Sequence, residues 1–355
     1  MDVEPLTDLL RTLVDIPSVT GDEAAIAGFV MERLARRATG ECLRSGNAVV
    51  WRGPRRGRAL VVLAGHLDTV PPKGNERARL EGDRLYGVGA TDMKGGDAVI
   101  LALIESLDPA RLRFDLAAVF YDAEEGPHQG NGLGRVLDEM GWLREAALAV
   151  LLEPTDAQIE MGCNGMMNVE VRVAGKAAHA ARPWTGVNAI GRAAPWLAEI
   201  TRFPVTAVSV QGVEYRETLQ VTTLQAGRTK NVVPDDLVAN LNYRFTPDRA
   251  VDEAERRLRG LVPAEFEFRV VDFAPAGRVV MDLPQVREFV ARFGLEVTGK
   301  QGWTDVARFS AAGIPAFNFG PGVPDLCHAA DEYCPVPNLK RTYDCLAQHL
   351  ATEAA

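Results

Sequence analysis

A chain of 355 residues, 47% hydrophobic and 25% charged, has enough apolar material for two domains, each with its own core. A formal charge of −9 excludes a general nucleic-acid binder, which carries a basic footprint. No apolar run reaches membrane-spanning length, and the opening MDVEPLTDLLRTLVDIP lacks the apolar stretch of a secretory leader, so a cytoplasmic protein with no membrane partner is expected. Cys42, Cys163, Cys327, Cys334 and Cys345 are odd in number and form no CxxC pair, which predicts free thiols.

Leu6, Leu9, Leu10, Leu13 and Val14 recur at helical spacing before Pro17, and a second amphipathic helix runs from Asp22-Glu23 to about Arg37. Strands are predicted at 48–51 and 60–64, a buried helix from about Gly96, a strand at 116–121, a helix at 132–140 and a strand at 147–152. Strands alternating with helices give an α/β domain with a mostly parallel sheet. Near Gly165 the pattern changes. Residues 168–173 alternate apolar and polar, a helix covers 187–200, alternation returns at 219–224 and 238–245, and a charged helix at 251–260 precedes a strand at 265–271. After about Ala274 the first pattern resumes, with an amphipathic segment at 286–293, a strand at 316–320 and a tail helix from about Leu339. The expected organisation is a catalytic domain of residues 1–164 and 275–355, with an inserted α+β lid or association domain of residues 165–274.

The stretch 61–97 organises the rest. An apolar run ends on Gly65-His66-Leu67-Asp68, where extended-chain alternation puts His66 and Asp68 on one side. A Gly-rich turn, Gly87-Val88-Gly89-Ala90-Thr91-Asp92-Met93-Lys94-Gly95-Gly96, delivers Asp92 ahead of an apolar helix. The next strand ends on Asp122-Ala123-Glu124-Glu125, and the one after it on Glu153-Pro154-Thr155. Polar residues at successive strand ends of one sheet converge in space. Histidine with carboxylates suits a divalent transition ion. His66, Asp92, Glu125, Glu153 and His328 are therefore the candidate ligands, one carboxylate bridging two ions with one histidine for each. Asp68 is placed to accept the second imidazole N–H of His66, and Glu124 to act as general base. Taken singly, each of these residues has a bland reading as a turn or surface group; it is the set that points to a metal centre. His128 and His349 are read as surface or outer-shell residues. The Gly-rich turn has neither GxGxxG nor GxxxxGK[ST], and Cys327-His328 has no oxyanion motif beside it.

Gly65–Pro71, Tyr86–Gly96 and Asp122–Glu125 resemble the M20 family of co-catalytic metallopeptidases and amidohydrolases, and the likeness runs over nearly the whole chain. Gly130–Arg135, Glu153-Pro154-Thr155, Ala178–Trp184, Tyr215-Arg216-Glu217 and Asn242–Phe245 resemble the family's succinyl-diaminopimelate desuccinylase branch, of the actinobacterial type. The resemblance implies a zinc-hydrolase catalytic domain in which Asp92 bridges two zinc ions, with cobalt or manganese as substitutes. His66 and Glu153 complete one shell, Glu125 and His328 the other. It implies Glu124 as base and then acid, Asp68 in support, and a homodimer formed through the lid. From that lid His179 reaches the partner's site to steady the oxyanion. Arg182, Lys230, Asn231 and Arg244 fall in segments that hold substrate carboxylates, and Thr304-Asp305 in a substrate-contact loop; Arg308 has no assigned role. The implied substrate is a small anionic acyl-amino acid, N-succinyl-LL-2,6-diaminopimelate. Acetylornithine deacylation or dipeptide hydrolysis is the nearest alternative, and a non-catalytic ligand-binding relative the more distant one.

Overall fold

The computed structural model describes residues 2–37 and 39–352. The chain forms two compact units, one of Met1–Met161, Val280–Thr298 and Arg308–Ala355, the other of Gly162–Val279 and Gly299–Ala307. Residues 299–307, assigned from sequence to the catalytic domain, thus group with the second unit.

The first unit is built on an eight-stranded sheet in the order Glu41–Ser45, Ala48–Arg52, Asp115–Tyr121, Leu60–His66, Ala146–Leu151, Ala316–Asn318, Ile159–Met161, Val297–Gly299. The four middle strands, Asp115–Tyr121 through Ala316–Asn318, are parallel, and antiparallel strands flank them. Every residue of Leu60–His66 and Asp115–Tyr121 is buried, which is why both read as unbroken apolar runs. Helix Gly95–Ser106 is buried from Gly95 to Ile104 and packs against Val3–Asp15 and Val336–Leu350. A helix apolar on every side from Ala98 to Ile104 belongs in a core rather than on a surface.

The tail helix begins three residues before the position read from sequence, with a proline in its first turn. It also corrects one assignment. His349, read as surface or outer-shell, is only 5% exposed and packs its ring against Phe289 and Phe114 at centroid distances of 4.9 and 5.4 Å. Burial, aided by Arg113, pushes its pKa down to about 4.

The second unit is an antiparallel sheet in the order Thr206–Val210, Val213–Ala226, Asp236–Phe245, Gly165–Ala174, Glu267–Ala274. Alternation puts Val169, Val171, Leu237 and Leu241 on one face, where Trp196 of helix Ala189–Ile200 and Leu258 of helix Val251–Arg259 close the core. The first two strands turn through Gln211-Gly212, both at positive φ (51° and 83°), as a two-residue hairpin requires. Glu217, of the Tyr215-Arg216-Glu217 motif, is buried and accepts from the Tyr243 hydroxyl, Arg249 and Arg257, so this motif serves the second unit's interior.

Candidate metal centre

The carboxyl edge of the four parallel strands gathers the candidate ligands, as open α/β sheets do. His66 ends its strand, paired in register with Tyr121, and Asp68 stands two residues on. The segment after Tyr121 turns at Ala123 (φ 57°) into Glu124-Glu125, while Glu153 follows the strand Ala146–Leu151 by two residues. Asp92 lies in the turn Ala90–Lys94 with extended backbone (φ −122°), followed by a cis peptide to Met93. Lys94 fixes that turn from behind. Its ammonium is buried and donates to the Ile16 carbonyl at 2.9 Å, and burial pushes its pKa down to about 8. Gly65 must be glycine, because a Cβ there would stand 2.3 Å from the Asp97 Oδ1.

Three donor groups form, each with its ligand atoms within 4.8 Å of one another: His66, Asp92 and Glu153; Asp92, Glu125 and His328; and His66, Glu124 and Glu125. Asp92 belongs to two of them and turns one oxygen to each histidine. His66 Nε2 is 3.2 Å from Oδ1, and His328 Nε2 is 3.5 Å from Oδ2 and 2.8 Å from the Glu125 Oε1. Two donors each about 2.0–2.1 Å from one tetrahedral ion stand roughly 3.3 Å apart, so these spacings fit shared divalent ions. The electrostatics agree. Burial opposes the charged form of His66, but Asp92, Glu124 and Asp68 outweigh it and raise its pKa well above the ordinary value. The hydrogen bond to Asp92, against burial and with help from Glu125, lifts His328 to about 9. Asp92 resists burial through its hydrogen bonds to His328 and His66 and lies far below the usual carboxylate range. Glu125 is raised, by burial first and Asp92 next. Carboxylates that draw protons onto both imidazoles will draw cations between them.

Asp68 acts differently from expectation. His66 Nδ1 is 3.0 Å from the Asp68 backbone carbonyl and 3.6 Å from its carboxylate, because the carbonyl two residues on reaches the ring first. The carboxylate instead accepts the backbone N–H groups of Glu124 (2.9 Å) and Glu125 (3.0 Å) and the Thr20 hydroxyl (2.8 Å). Sequence reasoning gave Thr20 no role, since nothing local marks a partner 48 residues away. It also passed over Glu332, which is 2% exposed and accepts the backbone N–H groups of Thr91 and Asp92 on one oxygen. Its position four residues past His328 was the available signal.

The remaining candidates lie in the second unit. His179 is exposed on the two-residue strand Ala178–His179, paired with Val232–Val233. Its Nδ1 accepts the Ala181 N–H at 3.0 Å, which fixes the tautomer carrying hydrogen on Nε2. Arg182 and Asn231 join it there, through Arg182 N–H to the His179 carbonyl (2.7 Å) and Ala180 N–H to the Asn231 carbonyl (2.9 Å). Lys230, exposed, adjoins Asn231. Arg244 is not part of this group. It sits near the far end of strand Asp236–Phe245, opposite Met166, half-buried, with its Nε on the Asn242 Oδ1. Thr304 is buried, its carbonyl facing the Cys163 thiol at 3.5 Å. Arg308 belongs to the first unit, where it braces the His128 ring (2.9 Å) and the His128 carbonyl.

Residues 62–352 match the profile of peptidase family M20/M25/M40. The chain is 42% identical to the putative succinyl-diaminopimelate desuccinylase DapE of Mycobacterium tuberculosis, over 97% of each protein. It is 37% identical to the succinyl-diaminopimelate desuccinylase of Corynebacterium glutamicum, over 97% of this chain and 95% of that one. Among solved structures, its fold is similar to that of aminopeptidase PepT from Bacillus cereus (TM-score 0.82, 20% identity, 99% and 98% covered). It is also similar to that of Bacillus subtilis YXEP, a dinuclear metal-binding M20 peptidase (TM-score 0.73, 17% identity, 98% and 97% covered). The chain belongs to peptidase family M20/M25/M40.

Proposed function

We propose that this protein is a two-metal amide hydrolase that releases succinate from N-succinyl-LL-2,6-diaminopimelate, a step of diaminopimelate and lysine biosynthesis. The observation that carries the reading is Asp92, shared between two donor sets with Glu124 alongside, in a chain so similar to two desuccinylases. His66, Asp92 and Glu153 would hold one ion and Asp92, Glu125 and His328 the other; zinc is the proposed metal, with cobalt or manganese able to replace it. Bound there, two divalent ions acidify water and polarise the scissile carbonyl.

Glu124 takes a proton from the attacking water and returns it to the amide nitrogen as the C–N bond breaks, leaving succinate and the free amine. Asp68 holds Glu124 for this by its backbone N–H. His179 presents Nε2–H, the donor a developing oxyanion needs. Arg182, Lys230 and Arg244 make no ion pair among the described residues. Basic side chains without acidic partners suit a substrate with several carboxylates, and arginine can bind each in a two-point fork. Asn231 and Thr304 complete the proposed contacts.

His179 pairs with Val232, before the start of Asp236–Phe245, while Arg244 lies at the strand's other end, and Asp236 to Arg244 alone spans roughly 27 Å at the usual strand rise. One small substrate does not reach both within one chain. This favours a homodimer formed through the second unit, the lid, in which His179 serves the partner's site. Five free cysteines suit a reducing cytoplasm.

The test is hydrolysis by the zinc-loaded protein of N-succinyl-LL-2,6-diaminopimelate, N-acetylornithine and dipeptides in parallel. Strong preference for the succinyl substrate, abolished by chelator, is expected. Preference for another amide keeps the metal chemistry and discards the pathway.

A further inference from the structure

We infer that Glu332 is a positioning residue: it ties the backbone under Asp92 to the loop bearing His328, and so presets the half-site formed by Asp92, Glu125 and His328. The inference rests on the two-ion reading above.

His328 has little to hold it. It is exposed, at positive φ (63°), in a loop outside any strand or helix. Yet its donor atom stands 3.5 Å from Asp92 and 2.8 Å from Glu125, a spacing that a loose loop would not keep. The loop is closed at its base, and the closure is on the ligand turn itself. The Glu332 carboxylate accepts the Thr91 N–H at 2.9 Å and the Asp92 N–H at 3.1 Å. The Glu332 carbonyl accepts the Gly87 N–H at 3.1 Å, at the start of the same Gly-rich turn. The Thr91 hydroxyl donates to the Tyr333 carbonyl at 2.5 Å and accepts the Val323 N–H at 3.2 Å. The segment from Val323 to Tyr333, with His328 at its middle, therefore begins and ends on Thr91, the residue before Asp92. Lys73 steadies the tip by donating to the His328 carbonyl at 2.8 Å.

A buried side-chain oxygen that accepts two successive backbone N–H groups holds both in place, and losing it would leave two buried donors without a partner. Glu332 lies outside the donor sets and acts through the two candidate ligands it spaces. Ordering a ligand before the ion arrives removes that entropic cost from binding, and outer-shell partners of this kind commonly weigh about 10–100-fold in metal affinity.

The experiment is calorimetric titration of the chelator-stripped full chain with Zn2+, with the visible absorption of the Co2+ form as a second readout. Wild type should bind two ions, and His328→Ala should lose one event. Glu332→Ala should weaken that same event about 10–100-fold and alter its cobalt spectrum, whereas Glu332→Gln, which keeps a carbonyl acceptor, should stay within about threefold. Thr91→Val, which unstitches the loop but leaves Glu332 in place, should weaken the same event and carries the test if Glu332→Ala fails to fold. Wild-type binding of both ions by Glu332→Ala or by Thr91→Val overturns the inference. So does a Glu332→Gln variant as weak as Glu332→Ala, since charge rather than the acceptor would then be responsible. A wild type that takes up fewer than two ions overturns the two-ion reading instead.

Discussion

The Asp68 carboxylate accepts the backbone N–H of Glu124 at 2.9 Å, so the proposed base is held by a residue 56 positions earlier in the chain. The other oxygen takes the Glu125 N–H at 3.0 Å and the Thr20 hydroxyl at 2.8 Å. Both oxygens are therefore committed to fixing the turn that carries the proposed base and a candidate ligand together. An asparagine at 68 has one acceptor where two are needed, and its NH2 would face an N–H or hydroxyl donor. Asp68→Asn should lower kcat about 10–100-fold with little change in KM, while both ions stay bound. Steady-state kinetics alongside metal analysis check this; loss of metal in proportion to activity would make Asp68 a support of the ligands alone.

Glu124 itself should separate chemistry from metal binding. His66 and Glu125, with which it groups, each belong to another donor set that lacks Glu124. Glu124→Gln removes the proton acceptor and keeps the shape, so kcat should fall about 10²–10⁴-fold, the usual weight of a positioned base. Calorimetry should still find two ions. Equal loss of binding and turnover would reassign Glu124 as a ligand.

The grouping of His66, Glu125 and Glu153 was legible because each follows a short apolar strand, and one sheet edge brings those strand ends together. Asp92 was legible from its Gly-rich turn. What supports the ligands was not. The Asp68 carboxylate answers to backbone N–H groups, which every residue carries, so no side-chain pattern announces the contact. Glu332 is hidden for the same reason, its backbone partner lying 240 residues away, and Thr20 because its side-chain partner lies 48 residues on. The short strand Thr206–Val210 lies at the edge of its sheet with no buried residue, so its alternation is confined to Val208-Ser209-Val210, too short to read. His349 is different, since its signal was present. Leu339, Thr342, Tyr343, Leu346, His349 and Leu350 are buried at helical spacing, and the histidine lies within that stripe.

That burial makes His349 a source of acid sensitivity. Its pKa falls from 6.5 to about 4 on folding, through burial first and Arg113 second, and its Nδ1 has no hydrogen-bond partner among the described residues. The folded state resists the proton that the unfolded chain accepts. The stability is thus fully present above pH 6.5 and is lost as pH falls toward 4, by about 3 kcal/mol at that point. Chemical denaturation at pH 7 and pH 4 should show this loss in wild type, and His349→Phe should be less sensitive by about that amount. Equal slopes in the two proteins would mean that His349 stays neutral in both states or that other groups dominate.

The proposed dimer would leave a sharper signature than any single variant. His179 lies before the start of strand Asp236–Phe245 and Arg244 near its other end, which favours a site completed by a second copy. Under that arrangement Glu124→Gln chains lack a base but can lend His179, and His179→Ala chains keep the base but cannot lend the donor. Each variant alone should be nearly inactive. Mixed, denatured and refolded together in equal amounts, half the dimers are hybrids with one complete site of two, so roughly a quarter of wild-type activity should return. Size-exclusion chromatography of the mixture confirms that dimers have formed. Full inactivity in such hybrids would mean that His179 serves its own chain, and Arg244 would then be dropped from the proposed substrate contacts.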